Sequence, residues 1–165
     1  MRERKPFDLA AYNRQVRGAP CFICTLVASK PGYTHHVVAE DDEAIVFLNK
    51  YPTLRGYCLV SPKQHREDLA SDLSAEEYLR LQARVHRLAR ALKQVFDAER
   101  IYVLSLGSKQ GNAHLHWHVA PLPKGVAPEQ QQYHALMAEN GVLDIPDAEM
   151  AAMAREIGAA YAALA

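Results

Sequence analysis

The sequence predicts a domain of the α+β class, and three observations support that prediction. Short strand-like apolar runs occur between residues 35 and 61 and again between 100 and 120. A long helical repeat of apolar residues, 75–96, separates these two groups. The chain has 165 residues, a length that favours one core over two. Strands and helices combined in one such domain are typical of the α+β class.

The first half of the chain contains the first predicted helix and three strands. Residues 7–16, FDLAAYNRQV, have the composition of a short helix. Strand-like runs then follow: HHVVAE, EAIVFLN after the acidic turn Asp41–Asp42, and GYCLVS after Gly56. These runs predict consecutive antiparallel strands.

The second half begins with the long helix. Ser74 and Glu77 match a capping box, and apolar residues behind it recur near helical spacing at Leu79, Val85, Leu88, Leu92 and Val95. Two further strands are predicted, RIYVLSLG and AHLHWHVA, with the turn-rich SKQGN between them. The remainder is helix-like, and Asp147 is the predicted N-cap of an Ala-rich final helix.

Composition argues against several classes of protein. Lys and Arg total 19, as do Asp and Glu, so no basic field draws the chain onto nucleic acid. No apolar run approaches the roughly 20 residues that cross a bilayer, so we expect no membrane partner. The N-terminus MRERKPFDLAAY lacks the apolar segment of a signal peptide, and we expect a cytoplasmic protein.

The segment HLHWHVAP, residues 114–121, carries three of the eight histidines. Successive side chains of a strand point to opposite faces, so His114, His116 and His118 would share one face. The opposite face would pack through Leu115, Trp117 and Val119. We expect the histidine face to line one small polar site.

Three interpretations of this histidine face remain open from spacing alone. It could be an exposed strand face that happens to carry histidine, although strict alternation makes this the weakest interpretation. It could bind a catalytic zinc ion, because alternate histidines on strands serve as zinc ligands. It could also provide an imidazole nucleophile whose neighbours place and neutralise an anionic substrate.

Cys21 and Cys24 form a Cys-x-x-Cys pair. Two thiolates and two distant histidines would complete a closed tetrahedral zinc site. The alternatives are a thioredoxin-like redox pair, whose cysteines usually open a helix after a strand, or two small buried hydrophobes. We expect Cys58 to be an ordinary buried strand residue, and His35 and His36 to be surface residues or secondary metal ligands.

The segment HLHWHVA fits the pattern His-φ-His-φ-His-φ-φ, with φ apolar, and thereby resembles the histidine triad (HIT) family of nucleotide hydrolases and transferases. Residues 39–65, AEDDEAIVFLNKYPTLRGYCLVSPKQH, resemble that family's acidic turn, ribose-contacting strand and PKxH segment. The resemblance covers about residues 21–123 of a single domain and leaves 124–165 as a C-terminal helical extension. It implies a HIT-like fold, a roughly five-stranded antiparallel sheet with a long helix packed on it plus N- and C-terminal helices.

The resemblance also implies roles for individual residues. His116 would attack the α-phosphorus of a nucleotide to give a nucleotidyl-histidine, and His118 would hydrogen-bond to the phosphate. Asn49 would bind the ribose hydroxyls, although an Asn at a strand end also suits a turn. The implied substrates are dinucleoside polyphosphates or nucleoside phosphoramidates. A metal-dependent hydrolase and a non-catalytic nucleotide-binding module are the alternatives.

The loop before the triad departs from the family's common Asn-x-Gly…Gly-Gln pattern. Its sequence, SLGSKQGN, offers polar candidates for nucleotide binding at Ser105, Ser108, Gln110 and Asn112. Leu122 also stands where the family often has an arginine after the triad's proline.

Further similarity, to the branch that includes galactose-1-phosphate uridylyltransferase, implies a structural zinc ion. In that branch a cysteine pair, the histidine of an SPxxH segment and the first triad histidine bind the metal. The corresponding residues here are Cys21, Cys24, His65 and His114. Family members also commonly pair through the long helix and a sheet edge, which implies a homodimer.

Overall fold

The structure is a computed structural model that describes residues 4–32, 34–109 and 111–164. Five strands form an antiparallel sheet in the order β2–β3–β4–β6–β5. Their bounds are Val37–Glu40 (β2), Ala44–Leu48 (β3), Cys58–Pro62 (β4), Arg100–Leu104 (β5) and Trp117–Leu122 (β6). A separate two-stranded ribbon pairs β1 (Arg4–Lys5) with β7 (Val142–Leu143). The predicted α+β class and the five-stranded antiparallel sheet are therefore confirmed.

In the described part of the chain, five α-helices accompany the strands: α1 (Leu9–Val16), α2 (Phe22–Val27), α3 (Ala75–Phe96), α4 (Tyr133–Leu136) and α5 (Asp147–Ala162). Helix α3 begins at the predicted capping box. The Ser74 hydroxyl oxygen accepts from the Glu77 backbone N–H at 3.2 Å, and the Glu77 carboxylate accepts from the Ser74 N–H at 2.8 Å. These two bonds satisfy donors that the first turn of a helix leaves unpaired. None of the helices in the described ranges is long and apolar enough to span a membrane.

One helix prediction was wrong, and one helix was not predicted. Asp147 is not the N-cap of α5, since Pro146 occupies that position and Asp147 is the first helical residue. Its carboxylate instead lies 2.9 Å from His36 Nε2 on the neighbouring strand segment. Helix α2 was not predicted, and it begins directly after Cys21.

The main core lies between one face of the sheet and the pair α3 and α5. Strand residues Val46, Val60 and Trp117 meet fully buried side chains of the two helices, which are Leu88, Leu92, Met153 and Ile157. On the opposite face, Ile45, Phe47 and Leu59 pack against Ile23 and Leu26 of α2. Because both faces of β3 and β4 are covered, every residue of these strands is buried, including Cys58 as predicted.

The histidine segment departs from the predicted strand. Strand β6 begins at Trp117, so of the three histidines only His118 belongs to the sheet ladder. Its neighbour β5 ends opposite His118, and the preceding residues bond to loops instead, as when Leu115 N–H donates to the Arg66 carbonyl at 2.6 Å. The alternation of faces nevertheless continues upstream, since Leu115, Trp117 and Val119 all enter the main core. The three histidines therefore face away from that core, as predicted.

Candidate functional site

His116 and His118 lie in contact at the start of β6. His116 is 2% exposed, and its Nδ1 lies 2.6 Å from the His114 carbonyl oxygen. A carbonyl oxygen only accepts hydrogen bonds, so we assign the ring proton to Nδ1. The lone pair of Nε2 then points toward His118 Nε2, 3.1 Å away. This arrangement presents one ring nitrogen of His116 as a potential nucleophile.

Burial keeps both rings of this pair neutral. It lowers the pKa of His116, and it lowers the pKa of His118 to about 3, with a smaller contribution from the charge of His116. An uncharged imidazole retains the lone pair that nucleophilic attack requires. Both rings are thus uncharged near neutral pH.

A cleft of about 350 Å³ opens at this pair. One end is polar and includes His116, His118 and Asn112. The other end is aromatic, being lined by Phe22, His35 and Phe47, which contact one another. The His35 ring stacks on Phe22 with centroids 5.6 Å apart and meets the edge of Phe47 at 5.4 Å. A cleft with one flat aromatic end and one polar end suits a ligand that joins a planar ring to an anionic group.

Asn49 also lines the cleft. Its side-chain oxygen accepts from the Tyr51 backbone N–H at 2.9 Å, so it also shapes the turn that follows β3. Both of the roles considered for this residue are therefore compatible with its position.

The polar candidates for nucleotide binding in the loop before the histidines differ in their positions relative to the cleft. Asn112 lines the cleft, and its side-chain oxygen accepts from the Ser108 hydroxyl at 2.9 Å. The Ser105 hydroxyl instead donates to the His116 carbonyl at 2.8 Å, which supports the backbone of the histidine segment. Gln110 lies outside the described residues.

Sequence reasoning missed a wall of the cleft that helix α1 provides through Tyr12 and Val16. The Tyr12 ring meets Tyr51 edge-on, with centroids 5.7 Å apart. At the other end of α1, a Cβ built on Gly111 would lie 2.7 Å from the Val16 side chain, and Gly111 has φ +123°. Helix α1 therefore spans from the turn after β3 to the loop before the triad.

A second cluster, the metal cluster, comprises Cys21, Cys24, His65 and His114, whose ligand atoms all lie within 4.8 Å of one another. His114 Nδ1 lies 3.4 Å from Cys21 Sγ and 3.5 Å from Cys24 Sγ, and His65 Nδ1 lies 3.3 Å from Cys24 Sγ. Ligands of a tetrahedral zinc ion bonded at about 2.0–2.3 Å stand roughly 3.3–3.8 Å apart. The measured contacts match that spacing.

Hydrogen bonds orient both histidines of the metal cluster. His114 Nε2 donates to the Pro62 carbonyl at 2.9 Å, and His65 Nε2 lies 3.0 Å from the Glu67 carboxylate. Each bond places the proton on Nε2 and leaves the Nδ1 lone pair for a metal. The donor set and its support therefore fit zinc.

The local structure also bears on the redox interpretation of the cysteines. Cys21 caps α2, so the pair does open a helix, as in thioredoxin-like proteins. The element before it is helix α1, however, and not a strand. The histidine nitrogens beside both thiols favour metal binding over disulfide exchange.

Tyr57 is a further residue that the sequence analysis did not identify. Its hydroxyl lies 3.1 Å from His118 Nδ1. The register between β4 and β6 would have predicted this contact. Leu59 pairs with His118, and Tyr57 lies two residues before Leu59 on the same face.

The HIT domain profile matches residues 30–125. An uncharacterized HIT-like protein of Saccharolobus solfataricus is 30% identical over 105 residues, which cover 61% of this chain and 73% of that protein. A HIT-like protein of Borreliella burgdorferi is 32% identical over 106 residues, covering 61% and 74%.

Solved structures extend the similarity beyond the HIT domain. A zinc-bound histidine triad family protein from Mycobacterium smegmatis superposes with a TM-score of 0.68 at 26% identity, covering 87% of this chain and 94% of that one. A hypothetical histidine triad nucleotide-binding protein from Sulfolobus tokodaii has the same fold, with a TM-score of 0.70 at 20% identity, covering 87% and 93%. This chain belongs to the HIT family.

Proposed function

We propose that the protein is a nucleotide hydrolase or nucleotidyl transferase that acts at an α-phosphate through a nucleotidyl-His116 intermediate. The observation that supports this proposal is the hydrogen bond from His116 Nδ1–H to the His114 carbonyl. It leaves Nε2 unprotonated, with its lone pair at the polar end of the cleft. Dinucleoside polyphosphates and nucleoside phosphoramidates are the proposed substrates.

Different lining residues of the cleft would bind the base, the ribose and the α-phosphate of such a substrate. The base would lie among Phe22, Phe47 and His35, with the ribose near Asn49 and the α-phosphate beside His116 and His118. Asn112 lines the phosphate end and can donate to the phosphate, while Ser105 holds the backbone of the nucleophile. Gln110 stays a proposed nucleotide contact.

The reaction then has two displacement steps. His116 Nε2 attacks phosphorus, the N–P bond forms, and the bond to the leaving group breaks with its electron pair. A phosphate leaves as an anion, and an amine takes up a proton. Water then attacks phosphorus, the N–P bond breaks, the nucleoside monophosphate is released, and the proton from water passes to solvent. Covalent capture replaces one difficult displacement by two easier ones.

His118 would stabilise the charge that develops on the phosphate. Its Nε2 lies beside His116 Nε2, so an N–H at this atom can turn to a phosphate oxygen once substrate occupies the cleft. A neutral donor is available because burial lowers the pKa of His118.

We also propose that the metal cluster holds a structural zinc ion. Bound zinc would cross-link Cys21 and Cys24 at the start of α2 to His114 in the histidine segment and His65 after β4. The contacts of His116 Nε2 are with His118 and not with this cluster, so a supporting role for zinc fits better than direct catalysis. Zinc as a Lewis acid on the triad is the alternative that the following experiment tests.

The deciding experiment is intact-mass spectrometry of the protein with diadenosine tetraphosphate and with adenosine 5′-phosphoramidate. Wild type should show a transient adenylyl adduct, and His116→Ala should show none while it keeps its zinc in native mass spectra. His86→Ala, a change at an exposed histidine of α3, is the matched control and should behave as wild type. Turnover without an adduct, lost on chelation, would instead support the metal-dependent alternative.

A homodimer is a further proposal. Strand β5 lies at the edge of the sheet, and Val103 and Leu106 on and after it are 46% and 60% exposed. Pairing of two β5 edges would continue the sheet across a two-fold axis. Light scattering coupled to size-exclusion chromatography tests this, and a monomeric mass would contradict it.

A further inference from the structure

We propose that Tyr57 is a positioning residue that fixes the tautomer of His118, so that His118 presents an N–H, and not a lone pair, to His116 and the phosphate. The catalytic part of this inference rests on the function proposed above. Its structural part concerns only the direction of three hydrogen bonds and can be measured without any substrate.

The His114 carbonyl determines which atom donates in each of the three hydrogen bonds. The His114 carbonyl oxygen has no proton to give, so His116 Nδ1 is the donor of the 2.6 Å bond. Neutral His116 then has a bare Nε2. The 3.1 Å contact between His116 Nε2 and His118 Nε2 is attractive only if His118 carries its proton there.

The same logic continues to Tyr57. A neutral His118 with its proton on Nε2 has a lone pair on Nδ1, which must accept a hydrogen bond if it is to be satisfied. In the described part of the chain, the Tyr57 hydroxyl, at 3.1 Å, is the partner recorded for this atom. Tyr57 is therefore the donor.

Tyr57 is suited to this single role. It is 5% exposed and does not line the cleft, so it reaches the substrate only through His118. Burial raises the pKa of its hydroxyl, which keeps the proton in place. Its ring meets the His118 ring edge-on with centroids 5.7 Å apart, which holds the hydroxyl opposite Nδ1.

Loss of the hydroxyl has a defined consequence. Without a donor at Nδ1, the His118 proton can occupy Nδ1 instead of Nε2. His118 Nε2 would then carry a lone pair that faces the lone pair of His116 Nε2. The fraction of molecules with the proton on His118 Nε2 then falls, and fewer active sites can donate a hydrogen bond from His118 to the phosphate. We expect Tyr57→Phe to lower kcat roughly tenfold, the value of about one hydrogen bond, with KM changed less than about twofold.

The experiment combines nitrogen-15 NMR of the histidine rings at about pH 8 with steady-state kinetics on adenosine 5′-phosphoramidate. Wild type should show His118 protonated on Nε2, and Tyr57→Phe should show a mixture of tautomers together with the kcat loss. The matched control is Tyr102→Phe, because the Tyr102 hydroxyl accepts from the Gln132 N–H at 2.9 Å, away from the histidines. It should change neither measurement.

Two results would overturn the inference: a wild-type His118 protonated on Nδ1, or a Tyr57→Phe variant whose His118 spectrum is unchanged. A kcat loss in Tyr57→Phe without a tautomer change would also count against it, because the loss would then come from packing. Absence of turnover in wild type would count against the proposed substrate alone, and the NMR result would still decide the role of Tyr57.

Discussion

The metal cluster and the His116–His118 pair both take histidines from one short segment, yet the rings of His114 and His116 are oriented in opposite ways. His114 donates a hydrogen bond from Nε2–H to the Pro62 carbonyl, and its Nδ1 faces the thiols. His116 donates a hydrogen bond from Nδ1–H to the His114 carbonyl, and its Nε2 faces the cleft. The difference teaches that the nitrogen engaged by a backbone carbonyl, and not the position in the motif, decides what each ring can do.

The largest expected effect separates the two neighbourhoods completely. His116→Ala should lower kcat/KM by about 10⁴-fold or more, since it removes the atom that would form the proposed covalent intermediate. Zinc content should stay close to wild type, because His116 takes no part in the metal cluster. Turnover assays with parallel elemental analysis measure both. Loss of zinc together with activity would show that the two neighbourhoods are a single unit.

The reverse substitution should have the reverse effect. Cys24→Ser should abolish stoichiometric zinc and lower the free energy of unfolding by about 4 kcal/mol or more, as expected when a structural metal is lost. The remaining folded protein should still form the His116 adduct. Elemental analysis and urea denaturation measure the two quantities.

Cys58→Ala is the control for this substitution. Cys58 is a fully buried thiol in β4 outside the metal cluster, so its change should keep the zinc and cost only about 1 kcal/mol. Equal destabilisation by the two variants would argue that Cys24 contributes packing and not metal binding.

Asn49 tests how the cleft recognises the sugar. Asn49→Ala should raise KM about tenfold with kcat nearly unchanged, because it removes hydrogen bonds made equally in the ground and transition states. Wild type should bind a 2′-deoxyribose substrate more weakly than the ribose substrate, whereas the variant should bind the two equally. A deoxyribose penalty of equal size in both proteins would assign Asn49 to its turn alone, through the bond to Tyr51 N–H.

The smallest effect concerns His35 at the aromatic end of the cleft. Burial lowers its pKa to about 4, and the charges of Lys50 and His36 act in the same direction. An unfolded histidine titrates near 6.5. Between these values the unfolded chain binds a proton that the folded protein does not, so the free energy of unfolding falls as pH is lowered through this window. Above it, His35 has no effect.

His35→Phe should therefore flatten the dependence of stability on pH between about 6.5 and 4. The slope should decrease by at most one proton, since His114 and His118 also have lowered pKa values and still contribute. Urea denaturation at several pH values measures this slope. An unchanged slope would mean that His35 is solvated in the folded protein. His86→Phe, at an exposed position on α3, is the matched control.

Spacing in the sequence predicted which side of the segment the three histidines share, and the family resemblance supplied His65 and His114 as partners of the cysteine pair. Alternation placed three histidines on one side of the segment, and the Cys-x-x-Cys pair with His65 and His114 formed the expected cluster. Such patterns succeed because backbone geometry alone sets which side chains share a face.

Other features depended on tertiary contacts that no local pattern contains. The start of β6 at Trp117 follows from where β5 ends, and the cap of α5 follows from the pairing of Asp147 with His36. The Tyr57–His118 contact required the register between β4 and β6. Local propensity carries no information on the distance between two segments that are far apart in the chain.

The contact between Val16 and Gly111 has a consequence for protein engineering. Helix α1 lies before the matched HIT domain, whereas Gly111 lies within it, and only a hydrogen atom fits between them. A loop grafted into this position from a relative would therefore need its own matching N-terminal helix. In this protein, the loop and the helix would have to be exchanged together, although their contact points lie 95 positions apart in the chain.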